Sequence, residues 1–278
     1  MQNVFKMPKV KVNNIEIAYE TAGKGTPFVL IHGHPFDHTM WDLQVEAFSA
    51  HYQLIIPDLR GYGKSSLPKN SATRFEDYAT DILLLLDNLK VESFHLAGLS
   101  MGGQIIMEMF RQAPSRIKTL IFADTFASPD TPEVKQGRYD AALRLEKEGM
   151  DAYADEVIYK MFKPEHVSSM PKAAGHVIKM MKAAPPKGAA TALRARAERI
   201  NYLTDVLPKI DVPTLVIVGR DDEFTPVAKA EELKENLQNC KLVIIEDAGH
   251  MPNMEHPEEF NKAVLDFLEN VNYSKKSL

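Results

Sequence analysis

The chain has 278 residues, 45% of them hydrophobic and 26% charged, a composition that fits a globular protein long enough for one large α/β domain or two modest ones. Its net charge of -5 argues against a nucleic-acid partner, and its single cysteine, Cys240, excludes an internal disulfide or a thiolate metal cluster. No run of apolar residues reaches membrane-spanning length and residues 1–8 carry no leader-like apolar segment, so no membrane partner and a cytoplasmic location are expected.

Residues 9–12 and 15–19 alternate apolar and polar side chains around Asn13 and Asn14, the pattern of a hairpin. Unbroken apolar runs follow at residues 28–31, 52–57, 94–97, 120–123, 214–218 and 242–245, each of a length suited to a strand covered on both faces. Helical periodicity fills most of the intervals, as at 75–89, where Tyr78, Ile82, Leu85, Leu86 and Leu89 recur on one side. This alternation specifies an α/β fold, a mostly parallel central sheet flanked by helices, with ligands bound at the carboxyl ends of the strands. One interval breaks it. From Thr125 to Leu207 there is only helical pattern, cut by Pro129, Pro132, Pro164, Pro171, Pro185 and Pro186, too long for a plain connection. The expected organisation is a core from residues 1–125 and 208–278 and an inserted helical cap, or lid, from 126–207.

The strand at 94–97 runs into a glycine-rich turn and then a helix, with Ser100 at the apex and Gly98 and Gly102 around it at G-x-S-x-G spacing. A strand reverses into a helix this sharply only where its neighbours lack a Cβ, and the serine hydroxyl is then pushed clear of the backbone toward the positive end of the helix dipole. Ser100 is the candidate nucleophile; the competing reading is a serine that merely caps the helix. A serine needs a histidine to take its proton and a carboxylate to orient that histidine. Asp222, after the strand at 214–218, and His250, after the strand at 242–245, supply both in serine, acid, histidine order. Asp221 and Asp124 are rival acids.

The loop at residues 31–41 follows the first central strand and can provide a second backbone N–H for an oxyanion, so the N–H groups of His34 and Met101 form the expected pair. His32 and Gly33 would shape that loop, and Trp41 is expected to pack. A metal reading of His32 and His34 lacks a third ligand, and no metal or cofactor is expected. Residues 58–66 end in Gly-Lys-Ser, but Asp58 stands where a phosphate loop needs glycine, so a turn held by Asp58 and Arg60 is expected instead. Phe126 and Met251, beside strand ends, are candidate substrate contacts. The cap carries Lys163, Lys172, Lys179, Lys182, Lys187, Arg194, Arg196 and Arg199 against Glu165 and Glu198 between residues 163 and 199; these either solvate a helical face or draw in a carboxylated substrate. Met150, Met161, Phe162, Met170, Met180 and Met181 either line a pocket or pack the cap.

Taken together, Ser100 in Gly-Leu-Ser-Met-Gly-Gly, the His32-Gly33-His34-Pro35 loop, the turn at 58–65, Asp222 before Pro226, and His250 resemble the α/β-hydrolase superfamily over essentially residues 10–268. Within it, the serine motif and residues 131–150 are most similar to the 3-oxoadipate enol-lactonase and small carboxylesterase branch. The resemblance implies a small-molecule ester or lactone substrate, an acyl-enzyme on Ser100, and water activated by His250. Epoxide hydrolases and haloalkane dehalogenases share the loop but carry aspartate at the serine position, which argues against both activities. A cofactor-free perhydrolase of haloperoxidase type and a ligand-sensing signalling protein are the alternatives on the same fold; the oligomeric state is left open.

Overall fold

Asn13 and Asn14 both adopt left-handed backbone, with φ of 43° and 61°, the geometry that lets a two-residue turn follow the twist of its strands. They join β1 (Lys9–Val12) to β2 (Ile15–Ala22) in antiparallel register. Next come β3 (Pro27–Ile31), α1 (Asp42–Ser49), β4 (Gln53–Pro57), α2 (Phe75–Asn88), β5 (Phe94–Leu99), α3 (Met101–Gln112) and β6 (Ile117–Ala123). The computed structural model describes residues 7–67 and 72–276; residues 1–6, read above as lacking a leader, lie outside it. No helix among the described residues is long and apolar enough to cross a membrane.

Five helices fill the interval after β6: α4 (Pro132–Glu148), α5 (Asp151–Met161), α6 (Pro164–Ser169), α7 (Pro171–Ala183) and α8 (Pro186–Ala197). The short α9 (Tyr202–Asp205) leads back to β7 (Thr214–Gly219), α10 (Val227–Glu235), β8 (Cys240–Ile245), α11 (Pro252–Glu255) and α12 (Pro257–Lys276). Pro132, Pro164, Pro171 and Pro186 each occupy the first helical position, where a missing N–H costs nothing and a fixed φ suits the helix. These prolines therefore set where the cap helices begin.

The eight strands run in the order β1-β2-β4-β3-β5-β6-β7-β8. From β4 to β8 every pairing is parallel, and β2 joins β4 antiparallel. The chain adds β4 on one side of β3 and β5 on the other, so the crevice at the carboxyl ends of β3 and β5 is the switch point at which such sheets bind ligands. Ile31 pairs with Gly98, and Leu99 with Ala123. Residues just beyond these strands thus emerge side by side.

Alternation along β3 divides the core. Val29 and Ile31 pack on the face under α2 and α3, while Phe28 and Leu30 join Phe48 and Phe260 on the other. The cap's apolar side chains split between the same two clusters: Ala142, Leu145 and Leu193 enter the first, whereas Ile158, Met161, Phe162, Val177 and Met181 enter the second. Of the cap residues left open between pocket and packing, Met150, Met161, Phe162, Met180 and Met181 are buried.

Candidate active site

Since β5 ends at Leu99 and α3 begins at Met101, Ser100 alone makes the turn, with φ 56° and ψ -117°. A residue bearing a Cβ is strained there by roughly 1–3 kcal/mol. Its surroundings enforce the conformation. A Cβ on Gly98 would lie 2.4 Å from the Gly102 carbonyl oxygen, and one on Gly102 would lie 2.3 Å from that of Ile31. The Ser100 N–H donates to Ala123 O at 2.9 Å, and Thr125 Oγ1 donates to Ser100 O at 2.7 Å. The Ser100 side chain makes no capping hydrogen bond to α3, which removes the helix-cap reading.

Asp222 and His250 emerge after the neighbouring strands β7 and β8, and both are buried. His250 Nδ1 lies 2.8 Å from Asp222 Oδ2, while Asp222 Oδ1 accepts the Phe224 and Thr225 N–H groups at 2.8 and 2.9 Å. A carboxylate so occupied assigns the proton to Nδ1 and leaves the Nε2 lone pair free to act as a base. Of the rival acids, Asp221 is exposed and faces Lys163. Asp124 is buried, and its Oδ1 accepts the Gly219 N–H at 2.9 Å, although its carboxyl comes within 4.8 Å of the Asp222 and His250 groups. Burial, and then the nearby Asp222 charge, push the Asp124 pKa well up. That direction favours the protonated form of Asp124 beside Asp222.

The approach to His250 is fixed from below. Asp247 takes the left-handed conformation in that loop, with φ 58°. Gly249 serves to give room: a Cβ there would stand 2.7 Å from the Lys163 nitrogen at the start of α6. Its N–H donates to Glu255 Oε1 at 2.8 Å, and Glu255 Oε2 accepts from the Lys163 N–H at 2.9 Å and His166 Nδ1 at 2.8 Å. One buried carboxylate ties the cap to the histidine loop.

A cavity of about 450 Å³ has Ser100, His250, His34 and Phe126 in its wall, together with Tyr153 and Arg196 of the cap. Larger depressions of about 550 and 840 Å³ lie beside Lys90 and Lys118 and beside Leu43 and Met170, away from these residues. Met251 is not brought to the wall. It is fully buried in the apolar cluster that holds Met254 and Phe260, so the structure does not bring it together with Ser100 and His250 in the cavity wall.

His34 is enclosed. Nδ1 shares a hydrogen bond with the Tyr62 hydroxyl at 2.7 Å, and Nε2 has no partner among the described residues. Burial, followed by the Arg196 and Arg138 charges, lowers its pKa well below the usual histidine value, so the ring is neutral. His32 accepts the Leu59 N–H at Nε2 and donates from Nδ1 to Gly33 O, which leaves neither nitrogen for a metal. Ligand-type atoms also gather at Asp37, His38 and Asp58 and at His166, Asp247 and His256. In both places histidine nitrogens already bond within the protein, His38 to Asp58 and His166 to Glu255. The expected turn at 58–65 has Asp58 accepting the His38 and Lys64 N–H groups, while Arg60 makes a bidentate pair with buried Asp81. Trp41 is buried against Phe260.

A sequence model of the alpha/beta hydrolase fold matches residues 26–257. The chain belongs to the α/β-hydrolase family. A thermophilic esterase from Thermogutta terrifontis, solved with malate bound, superposes on this hydrolase with a TM-score of 0.89 at 36% identity, covering 95% of this chain and 97% of that one. A putative non-heme chloroperoxidase from Synechocystis is 30% identical over 95% of this chain and all of its own length. A 3-oxoadipate enol-lactonase from Acinetobacter baylyi is 29% identical over 90% of this chain and 92% of its own.

Sequence reasoning overlooked Glu255, Gln104 and Tyr153. It named Arg196 only within a group of cap bases. A signal was available for that residue: on α8, Arg196 continues the buried stripe of Ala189, Ala192 and Leu193 at three- and four-residue spacing, whereas Arg194 falls on the outer side.

Proposed function

We propose that this hydrolase cleaves small carboxylic esters or lactones through an acyl-enzyme on Ser100. The observation that carries the reading is the 2.8 Å contact of His250 Nδ1 with Asp222 Oδ2, in a histidine that shares one cavity with a serine held at a strained strand-to-helix turn. His250 Nε2 takes the Ser100 proton as Oγ attacks the substrate carbonyl, and Asp222 stabilises the imidazolium that forms. The oxyanion develops against the N–H groups of His34 and Met101. His250 then protonates the leaving oxygen, which in a lactone stays attached to the acyl chain. Water, deprotonated by the same histidine, releases the acid and restores the serine.

Similarity to a protein named as an esterase and to one named as an enol-lactonase supports the substrate class; the relative named as a chloroperoxidase keeps perhydrolysis as the second reading. The test is hydrolysis of p-nitrophenyl esters from acetate to octanoate, beside simple lactones, by wild type and Ser100→Ala. A parallel arm contains hydrogen peroxide, acetate and a halide acceptor. Ser100→Ala is expected to remain folded and lose at least about a thousandfold in rate. Near-wild-type hydrolysis by Ser100→Ala would refute the mechanism. Halide oxidation that outpaces ester cleavage would move the assignment to perhydrolysis.

A further inference from the structure

The wall of the Ser100 cavity holds more positive charge than it neutralises. Arg138 and Arg199 both converge on Asp130: Arg138 Nε lies 2.5 Å and Arg199 Nη1 2.9 Å from Oδ2. Their two guanidiniums hold the Asp130 carboxyl far below the usual carboxylate range against the opposing effect of burial. Arg196 receives no such partner. Its Nε donates to the neutral Gln104 Oε1 at 2.7 Å, and its guanidinium carbon lies 5.8 Å from the centre of the Phe126 ring. Among the described residues no carboxylate forms an ion pair with it, although Lys163, Lys182, Arg194 and Arg199 of the cap each have one; Lys172, Lys179 and Lys187 form none among the described residues either, but they do not line the cavity. Two guanidiniums thus share one carboxylate, and the third, Arg196, lines the cavity without a carboxylate partner.

Its position relative to the nucleophile is fixed by the chain. Gln104 lies four residues beyond Ser100 along α3, about 6 Å of helix. The same Gln104 side chain donates to Phe126 O at 3.2 Å. Arg196 is held by Nε, so both Nη groups remain to meet a ligand in the planar fork that suits a carboxylate. Burial first, and then the like charges of Arg138 and Arg199, lower its pKa well below the usual arginine value. An anion in the cavity relieves that unfavourable state.

We infer that Arg196 is an anion subsite that selects acyl groups with a carboxylate at the end remote from the scissile bond. The inference deepens the ester and lactone reading for the chemical class of substrate, while the anion site itself stands independently of turnover. It assigns one cap base to substrate, whereas Lys163, Lys182, Arg194 and Arg199 are engaged in the ion pairs described above.

The test compares p-nitrophenyl hexanoate with mono-p-nitrophenyl adipate, which replaces the terminal methyl by a carboxylate. Wild type, Arg196→Gln and Arg196→Lys are assayed after thermal melts show that each is folded, and glutarate binding is measured by calorimetry on all three. Wild type should prefer the carboxylated ester, chiefly through KM, and Arg196→Gln should reduce the ratio of the two kcat/KM values by roughly ten- to a hundredfold, the scale of a charge-assisted hydrogen bond. Arg196→Lys should restore part of that ratio. Ser100-dependent turnover without a charge preference, or a preference that survives in Arg196→Gln, overturns the subsite and leaves the hydrolase reading intact. If neither ester is turned over, the hydrolase reading fails and glutarate decides the subsite: binding by wild type that is lost in Arg196→Gln supports it, and absence of binding by wild type overturns it.

Discussion

Replacing Glu255 by glutamine would test how the histidine loop is held. The buried carboxylate accepts three hydrogen bonds, one at Oε1 from the Gly249 N–H and two at Oε2 from the Lys163 N–H and His166 Nδ1. An amide accepts on one side only. Its cheaper orientation keeps the oxygen where two donors meet and turns the NH2 toward Gly249, leaving that N–H buried and facing another donor. The loss is one charge-assisted hydrogen bond, about 2 kcal/mol, which corresponds to roughly 4–8 °C in Tm for a domain of this size. Glu255→Ala orphans all three donors and should cost about 3–5 kcal/mol, as when one partner is removed from a buried charged pair. Because Gly249 precedes His250, Glu255→Gln should also lower kcat on p-nitrophenyl butyrate more than it raises KM. Thermal melts and steady-state kinetics on both variants provide the check. A Glu255→Gln protein as stable as wild type would refute the view that this carboxylate holds cap and loop together.

Asp124 and Asp222 should respond differently to the same change. Burial and then the neighbouring Asp222 charge already favour the protonated form of Asp124, so Asp124→Asn should alter kcat by less than about threefold, whereas Asp222→Asn, which changes the tautomer preferred by His250, should cost about a thousandfold or more; equal losses in ester hydrolysis would reverse the assignment of the acid. A pH series tests the His38–Asp58 pair. Burial lowers the His38 pKa, but the Asp58 hydrogen bond and charge outweigh it and raise the value overall, while contact with His38 leaves the Asp58 carboxyl below its usual value despite burial. The histidine's contribution is complete below its unfolded pKa and fades as pH rises through the raised folded one; the aspartate's fades only as pH falls through its lowered one. The stability gap between wild type and His38→Gln should therefore be large at about pH 5.5 and smaller at about pH 9, and a gap that widens with pH in urea titrations would contradict the pairing.

Much of the fold was legible because its signals are local. The paired asparagines at 13 and 14, the apolar runs and the glycines around Ser100 each act within a few residues, and the observed strands fall on those runs. The order of Ser100, Asp222 and His250 could be read because each follows a strand. The role of Gly249 was only half visible, since the atom that demands its missing Cβ is the Lys163 nitrogen, far away in sequence. Met251 misled for the opposite reason: adjacency to His250 in the chain does not place a side chain in the cavity wall, and Met251 lies in an apolar cluster instead. Arg196 and Asp130 were hidden by composition. A count of cap bases cannot distinguish a guanidinium with a carboxylate partner from one without, and that difference depends on where α4 and α8 place Arg138 and Arg196.

The division of the cap's apolar residues between the two faces of the sheet bears on how this protein can change. A lid with an interior of its own could swing as a unit or be exchanged between relatives as a cassette. Here α4 and α8 complete one layer of the core and α5 and α7 the other, so removing the insertion would strip apolar cover from both sides of the molecule and cap and sheet should melt together. Under the proposed function, access to the cavity is then expected through local rearrangement of side chains and loops at its mouth rather than through movement of the whole cap. New specificity is more readily acquired by single substitutions along the wall, Arg196 among them, than by grafting a foreign lid whose underside was fitted to other partners.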